Sequence, residues 1–277
     1  MRRDIDATIE SLRAPIGEDP YWPKWDGPWW RALTLWELGY AREIPPSFID
    51  DLIARVDAHY LHFFPVREED LPPGTDPYRQ LACHCQLGTL YQLLHAAGVD
   101  VDAALPWIRP WFLKYQLPDG GLNCDDTVYA GDDPRSSFLS TLPPLEAVLF
   151  CTDRDFTREE IRFLDRGAQY LLERKLCRSL RKNCIIDRAW LKPTFPRFYF
   201  YDVLRGHEFI VEWAATLGRA VLTEALCEAR GVEPVVQRRA WAQEKRTRSP
   251  ADWSAWHRAR SFPLLERVGR IGAPLPD

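Results

Sequence analysis

The chain has 277 residues, 46% of them hydrophobic and 27% charged, with 36 Lys and Arg against 40 Asp and Glu for a formal net charge of −4. That balance excludes a disordered polyelectrolyte and offers no basic face for nucleic acid or an anionic membrane surface. No apolar run is long enough to span a bilayer. The start, Met1-Arg2-Arg3-Asp4-Ile5-Asp6, lacks a signal-peptide centre and has acids where a twin-arginine signal needs none, so a cytoplasmic protein is expected.

The seven cysteines are odd in number and scattered, which favours thiols or metal ligands over disulfides. Aromatic residues are abundant, with 12 Trp, 13 Phe and 10 Tyr against one Met. Rings of that size line a pocket as readily as they fill a core.

In chain order, the first feature is an aromatic set, Tyr21, Trp22, Trp25, Trp29, Trp30 and Trp36. It is denser than one helix face requires, so it is a candidate to bind a polyene, a partner protein, or simply the core. Residues 46–64 open with prolines and repeat Ile49, Ile53, Val56, Tyr60 and Phe63 at helical steps. Residues 85–97 are apolar on most faces, and so are 137–150 and 209–217, which predicts buried helices. Residues 157–174 form an amphipathic helix opened by a Thr157–Glu160 capping box. Between these lie a loop over 117–135, rich in Gly, Pro and Asp, and an aperiodic segment over 177–196. The basic stretch 238–248 reads as a solvated helix face.

The buried segments end at Leu38-Gly39, Ala97-Gly98, Cys151-Thr152 and Leu217-Gly218, a recurrence of roughly 50 to 65 residues, and each is followed by a second helix. Four helical hairpins follow from this, with a fifth over 233–260 that is poorly patterned. The prediction is one all-α domain over 1–277 with an irregular extension after about residue 250.

Four ordered blocks carry a family resemblance. Gln116-Leu117-Pro118-Asp119-Gly120-Gly121-Leu122-Asn123-Cys124 is the first, and Ser136-Ser137-Phe138-Leu139-Ser140-Thr141-Leu142 the second. Gly167 to Arg174 with Arg178-Ser179 is the third. Phe195-Pro196-Arg197 with Tyr201-Asp202-Val203-Leu204-Arg205-Gly206 is the fourth. Together, over about residues 80–220, they resemble the bacterial prenyltransferase and squalene-cyclase repeat proteins. The resemblance implies an α/α toroid of alternating inner and outer helices, here of four to five hairpins and so partial or open. It also implies an apolar, aromatic-lined central cavity for an isoprenoid-like molecule, and a terpenoid-cyclase or prenyltransferase type of enzyme.

Three departures stand out. The string Asn123-Cys124-Asp125-Asp126 lacks the first aspartate of the cyclase D-x-D-D acid motif, and the chain has no Asp-x-Cys zinc pair. Leu122 also stands where the family usually has Trp.

Candidate chemistry gathers first at Cys124, Asp125 and Asp126. Asp125 or Asp126 is a candidate acid or ligand, and Cys124 a ligand or nucleophile. The zinc reading takes Cys124, Asp126 and His207 as ligands, with His84 as an alternative. The same aspartates could instead cap helices. Within Cys83-His84-Cys85, helical geometry lets at most one or two side chains face one ion. Asp202 and Arg205 are spaced for an ion pair along a helix. Asp132-Asp133 is either a proton-sharing pair or a solvated turn. Trp29, Trp30, Tyr199 and Tyr201 are the candidate substrate-binding rings. The leading expectation is an enzyme on a hydrophobic small molecule. The alternatives are a non-catalytic toroid that binds a peptide or protein, and a carbohydrate-active α/α barrel with paired carboxylates.

Overall fold

The computed structural model describes residues 2–17, 21, 25–59, 84–125, 128–129, 132–192, 194–219 and 237–238. Asp126, Cys83, Trp22, the end of the predicted 46–64 helix, the fifth hairpin beyond 238, most of the basic stretch and the tail after 250 lie outside these residues.

The fold is helical, as expected. Nine α-helices lie among the described residues: α1 (Arg2–Ser11), α2 (Pro28–Glu37), α3 (Pro46–His59), α4 (His84–Ala97), α5 (Val101–Ala104), α6 (Ile108–Lys114), α7 (Phe138–Phe150), α8 (Arg158–Glu173) and α9 (Val203–Leu217). Short 3-10 turns cover Ala41–Glu43 and Arg188–Leu191, and β1 (Thr194–Phe195) pairs in parallel with β2 (Gln237–Arg238). None of these helices is long and apolar enough to cross a membrane.

Local chemistry sets the helix ends. Pro28 opens α2, where its missing N–H costs nothing. Ser137 caps α7 by accepting from the N–H of Ser140. Thr157 and Glu160 form both halves of the capping box on α8. Gly39, Gly98 and Gly218 follow α2, α4 and α9 at φ of 83°, 99° and 62°, the left-handed region in which glycine meets no Cβ penalty. The predicted hairpin stops are therefore real helix ends.

Two of the three helices that read as apolar all round bury most completely, while in the third, α9, Ala215 and Thr216 are exposed. In α4, His84 and every residue from Gln86 to Leu94 are buried; in α7, Phe138 and every residue from Ser140 to Leu149 are. These two make the most extensive helix contact in the protein. Its closeness depends on Gly88, since a Cβ there would lie 2.4 Å from the Pro143 carbonyl carbon. The amphipathic α8 packs on α7 and buries Phe163, Leu164, Ala168 and Leu171. α2 packs on α4, and α9 packs on both α7 and α8, so one continuous core links them.

The four sequence blocks prove to be a packing system. Gly120, at φ 91°, would place a Cβ 2.3 Å from the Arg166 carbonyl oxygen on α8. Asp119 accepts from the hydroxyl and the N–H of Ser136 and from Arg174 at 3.2 Å. Tyr170 donates to the Ser136 carbonyl at 3.1 Å, and Tyr201 donates to the Leu176 carbonyl. Gly206 lies against the Tyr201 hydroxyl, where a Cβ would be 2.3 Å away. The first block is thus clamped to the second and third, and the fourth to the segment that follows the third.

Candidate functional site

The C-terminal end of α2, the middle of α4, the second half of α7 and the start of α9 meet around a cavity of about 80 Å³. Its polar lining comes from four helices and the turn before the last of them: Glu37 from α2, Gln92 from α4, Glu146 from α7, Arg205 and Glu208 from α9, and Arg197 from the turn. Trp36, Phe150 and Phe198 supply ring faces. Phe150 is 37% exposed, so the cavity meets the surface there.

Glu146 and Arg205 form a buried ion pair. The Arg205 Nε donates to Oε1 at 2.7 Å and Nη2 to Oε2 at 2.5 Å, while Nη1 donates to the carbonyls of Phe198 and Phe200. Gln92 Nε2 adds a longer contact to Glu146 Oε2 at 3.3 Å and donates at 3.1 Å to the Pro143 carbonyl. Every donor of the guanidinium that faces inward finds an acceptor, which is what a buried charge requires. The sequence expected Arg205 to pair along its own helix with Asp202. Asp202 instead caps α9, accepting the Arg205 N–H at 2.9 Å, because its backbone is extended just before the helix begins. The Arg205 guanidinium reaches across to α7.

Glu37 is 6% exposed and accepts two backbone N–H groups, from Arg197 at 2.7 Å and from Phe198. These hold a turn in which Phe198 has φ 52°, a strained value for a residue with a Cβ. Burial raises the Glu37 pKa above the usual carboxyl range; the nearby Arg197 charge and the two N–H donors oppose this without cancelling it. Arg197 in turn reaches Glu208 at 3.3 Å.

Glu37, Gln92 and Glu146 were not singled out from the sequence. The signal was present for Glu146 and Gln92, polar side chains inside helices that read as apolar on every face. For Glu37, at the end of a tryptophan-rich segment, there was none.

The sequence-predicted residues fall elsewhere. Trp29 and Trp30 are fully buried in the core, with Trp30 donating to the Tyr21 carbonyl. Tyr201 is buried between Phe138 and Trp190. Tyr199 is half-buried and stacks with Trp25 and Phe200. Asp125 is exposed, and Asp133 is exposed and paired with Arg135.

Cys124 sits at the end of the Asp-Gly-Gly loop with its sulfur 3.4 Å from that of Cys85. The Cys85 thiol and burial push its pKa well above that of a free thiol, so Cys124 is not a thiolate-type nucleophile at neutral pH. His84 is fully buried among Trp111, Phe112, Tyr115 and Tyr129, with Nε2 3.1 Å from the Tyr129 hydroxyl. Desolvation lowers its pKa to about 3, and that of His207 on α9 to about 4. Both rings are therefore neutral at physiological pH.

Among the described residues no group of three or more His, Cys, Asp or Glu side chains is arranged to hold a metal ion. Cys124 meets a second thiol, and no hydrogen bond joins it to His207. Among the described residues the zinc reading finds two sulfurs in contact, and Asp126, another of its named ligands, lies outside them.

A second, larger hollow of about 640 Å³ lies where the chain leaves α4 and α7. Its wall includes Arg42, Tyr91, His95, Asp102, Asp153 and Arg154. Arg109 underlies it, bound to Tyr91, Asp102, Thr152, the Cys151 carbonyl and Glu160 at 2.6–3.2 Å.

No family model, no curated protein and no solved structure matches this chain.

Proposed function

We propose that the protein is an enzyme acting on a small, largely apolar, isoprenoid-like molecule, whose reacting end enters the cavity between α2, α4, α7 and α9. These four helices would be the inner helices of a partial α/α toroid, as the family resemblance implies. The observation that carries this reading is the convergence of Glu37, Gln92, Glu146 and Arg205 from four separate helices on one cavity that also has aromatic walls.

Glu37 would move the proton. Its raised pKa brings a carboxyl toward the range where it can both give and take a proton near neutrality. Two of its acceptor positions are used by backbone N–H groups, which leaves others for a proton. Glu146, held by Arg205 and Gln92, would be immobile and would fix the cavity wall contributed by α7. The rings of Trp36, Phe150 and Phe198 would face positive charge that develops on the substrate. A volume of about 80 Å³ fits a functional group and not a whole chain, so the rest of the molecule would extend past Phe150.

The test is a titration of the purified chain with farnesol, geranylgeraniol and squalene, followed by Trp fluorescence and by gas chromatography of extracted products. Saturable quenching that Trp36→Leu removes, with product that Glu37→Gln removes, is the expected result. Absence of saturable binding across all three overturns the reading.

One observation favours a second reading, a non-catalytic module for a peptide. The 640 Å³ hollow is in the size range of ligand sites and is walled by charges of both signs. Peptide binding lost on Arg42→Ala, with no polyene binding, would select it.

A further inference from the structure

We propose that Cys85 and Cys124 form a reversible intrachain disulfide by exchange with a low-molecular-mass disulfide of the glutathione class. Their sulfurs are 3.4 Å apart and their positions differ by 39 residues, so the bond would tie the first turn of α4 to the end of the Asp-Gly-Gly loop. A disulfide is about 2.0 Å long, so the two sulfurs need to close by little more than 1 Å, within reach of side-chain rotation.

The surroundings fit exchange chemistry. Both residues are half-buried, so a small disulfide can reach them, whereas Cys151 and Cys177 are buried. The two residues touch through two contacts: the Cys85 N–H donates to the Cys124 sulfur at 3.4 Å, and the Cys124 thiol donates toward the Cys85 sulfur, which favours ionisation of Cys85. The backbone of Cys124's neighbour is fixed as well, since Asn123 exchanges N–H and carbonyl contacts with the Tyr129 hydroxyl at 2.9 and 3.0 Å.

The electrons balance in two displacements. The Cys85 thiolate attacks one sulfur of the small disulfide; a protein–glutathione S–S bond forms, the original S–S bond breaks, and one glutathione thiolate leaves. Cys124, a protonated thiol in the resting protein, gives its proton to that glutathione thiolate acting as a base and attacks the Cys85 sulfur. The Cys85–Cys124 bond forms and a second glutathione leaves. The protein gives up two hydrogens and two electrons, and one glutathione disulfide becomes two thiols.

The full-length protein is equilibrated in glutathione buffers of increasing oxidised fraction, blocked with N-ethylmaleimide and mapped by non-reducing peptide mass spectrometry. The expected result is loss of maleimide labelling at Cys85 and Cys124 together, with one crosslinked peptide two hydrogens lighter. The exposed Cys184 should instead carry a glutathione adduct. Cys124→Ser should trap glutathione on Cys85, and Cys83→Ser should leave the crosslink intact. Full labelling of both thiols in the most oxidising buffer overturns the proposal. So does a stable glutathione adduct on either residue of the wild-type protein, or a bond from Cys124 to Cys83.

Discussion

Two buried arginines organise this protein, and they do so differently. Arg109 on α6 is bound on all sides by Tyr91, Asp102, Thr152, the Cys151 carbonyl and Glu160, and Arg154 completes the cluster from the surface through Glu160. It joins four helical elements and leaves no inward-facing polar atom without a partner. Arg205 also joins separate elements, but its partner Glu146 lines a cavity beside Glu37, a carboxyl that burial disfavours as an ion. A closed ion network braces a fold. An ion pair that faces a cavity and a strained carboxyl is where binding or proton transfer can occur.

The largest effects should come from removing either arginine. Arg109→Met leaves Glu160, and Arg205→Met leaves Glu146, as a buried charge that has lost a main partner. Each should lose about 3–5 kcal/mol in urea denaturation, less for Arg109 because Arg154 still reaches Glu160. The pair Glu146→Leu with Arg205→Met should regain most of the loss. If it does not, the Arg205 contacts to Phe198 and Phe200 matter more than the charge pair. Arg205→Met should also abolish polyene binding, which a stabilised Arg109 variant should retain.

Acid should act next. His84 and His207 have folded pKa values near 3 and 4, below the ordinary 6.5 of the unfolded chain. A lowered histidine pKa costs nothing above pH 6.5, because both states are then neutral. As the pH falls below 6.5 only the unfolded state gains protons, so each histidine should remove about 2 kcal/mol by pH 5. The loss should level off once the pH passes the folded values. His84→Gln should flatten the slope of stability against pH over 6.5 to 5; an unchanged slope would contradict a buried neutral imidazole.

Gly88→Ala tests the approach of α4 to α7 that brings Gln92 to Glu146. Its Cβ would meet the Pro143 and Pro144 backbone at 2.4–2.5 Å, and backbone cannot move aside as a side chain can. A loss of about 1–3 kcal/mol is expected, while Gly17→Ala, with nothing within 4 Å, should lose none.

The acid limb also separates the two arginine clusters by sign. In the Arg109 cluster the Glu160 pKa is lowered to about 2, against burial, by its hydrogen bonds to Arg154 and the Thr157 N–H and by both arginine charges. Its contribution is complete above the unfolded value of 4.5 and is lost as the pH falls toward 2, about 1–2 kcal/mol in all once solvent screening of the half-exposed Arg154 is allowed for. The Glu37 pKa is raised, so a cost in stability sets in above the unfolded value of 4.5, is complete above the folded value, and is relieved as the pH falls back to 4.5. Glu160→Gln should make the protein less sensitive to acid below pH 4.5, and Glu37→Gln should remove the stabilisation that acidification brings above pH 4.5. The smallest effect belongs to the surface: Arg219→Ala breaks a well-exposed pair with Asp165 and should change stability by less than about 0.5 kcal/mol.

Much of the architecture was legible in the chain. The capping box at Thr157, the glycine stops and the three apolar segments all encode helices through local chemistry; the first two apolar segments appear within a residue of where they were expected, and the third begins six residues earlier, at Val203. The site was less legible. Asp202 and Arg205 have the spacing of an ion pair, yet Asp202 stands before the first turn, where capping wins. Cys124 was read as part of an acidic cluster, and its neighbour proved to be Cys85, which approaches from α4. Trp29 and Trp30 looked like pocket walls and are core, since nothing local distinguishes a ring that faces a cavity from one that faces another ring.

The sequence by itself determined that α4, α7 and α8 are helical, where they stop, and that α4 and α7 bury nearly every face. Those properties depend on hydrogen bonds and periodicities that span a few residues. Only the tertiary structure decided that Glu37, Gln92, Glu146 and Arg205 meet. Their encounter depends on how closely α4 can approach α7 at Gly88, and on long side chains reaching across helices that are far apart along the chain. No local pattern records such distances, and desolvation, which shifts the titration of Glu37, exists only once the other helices have closed over it.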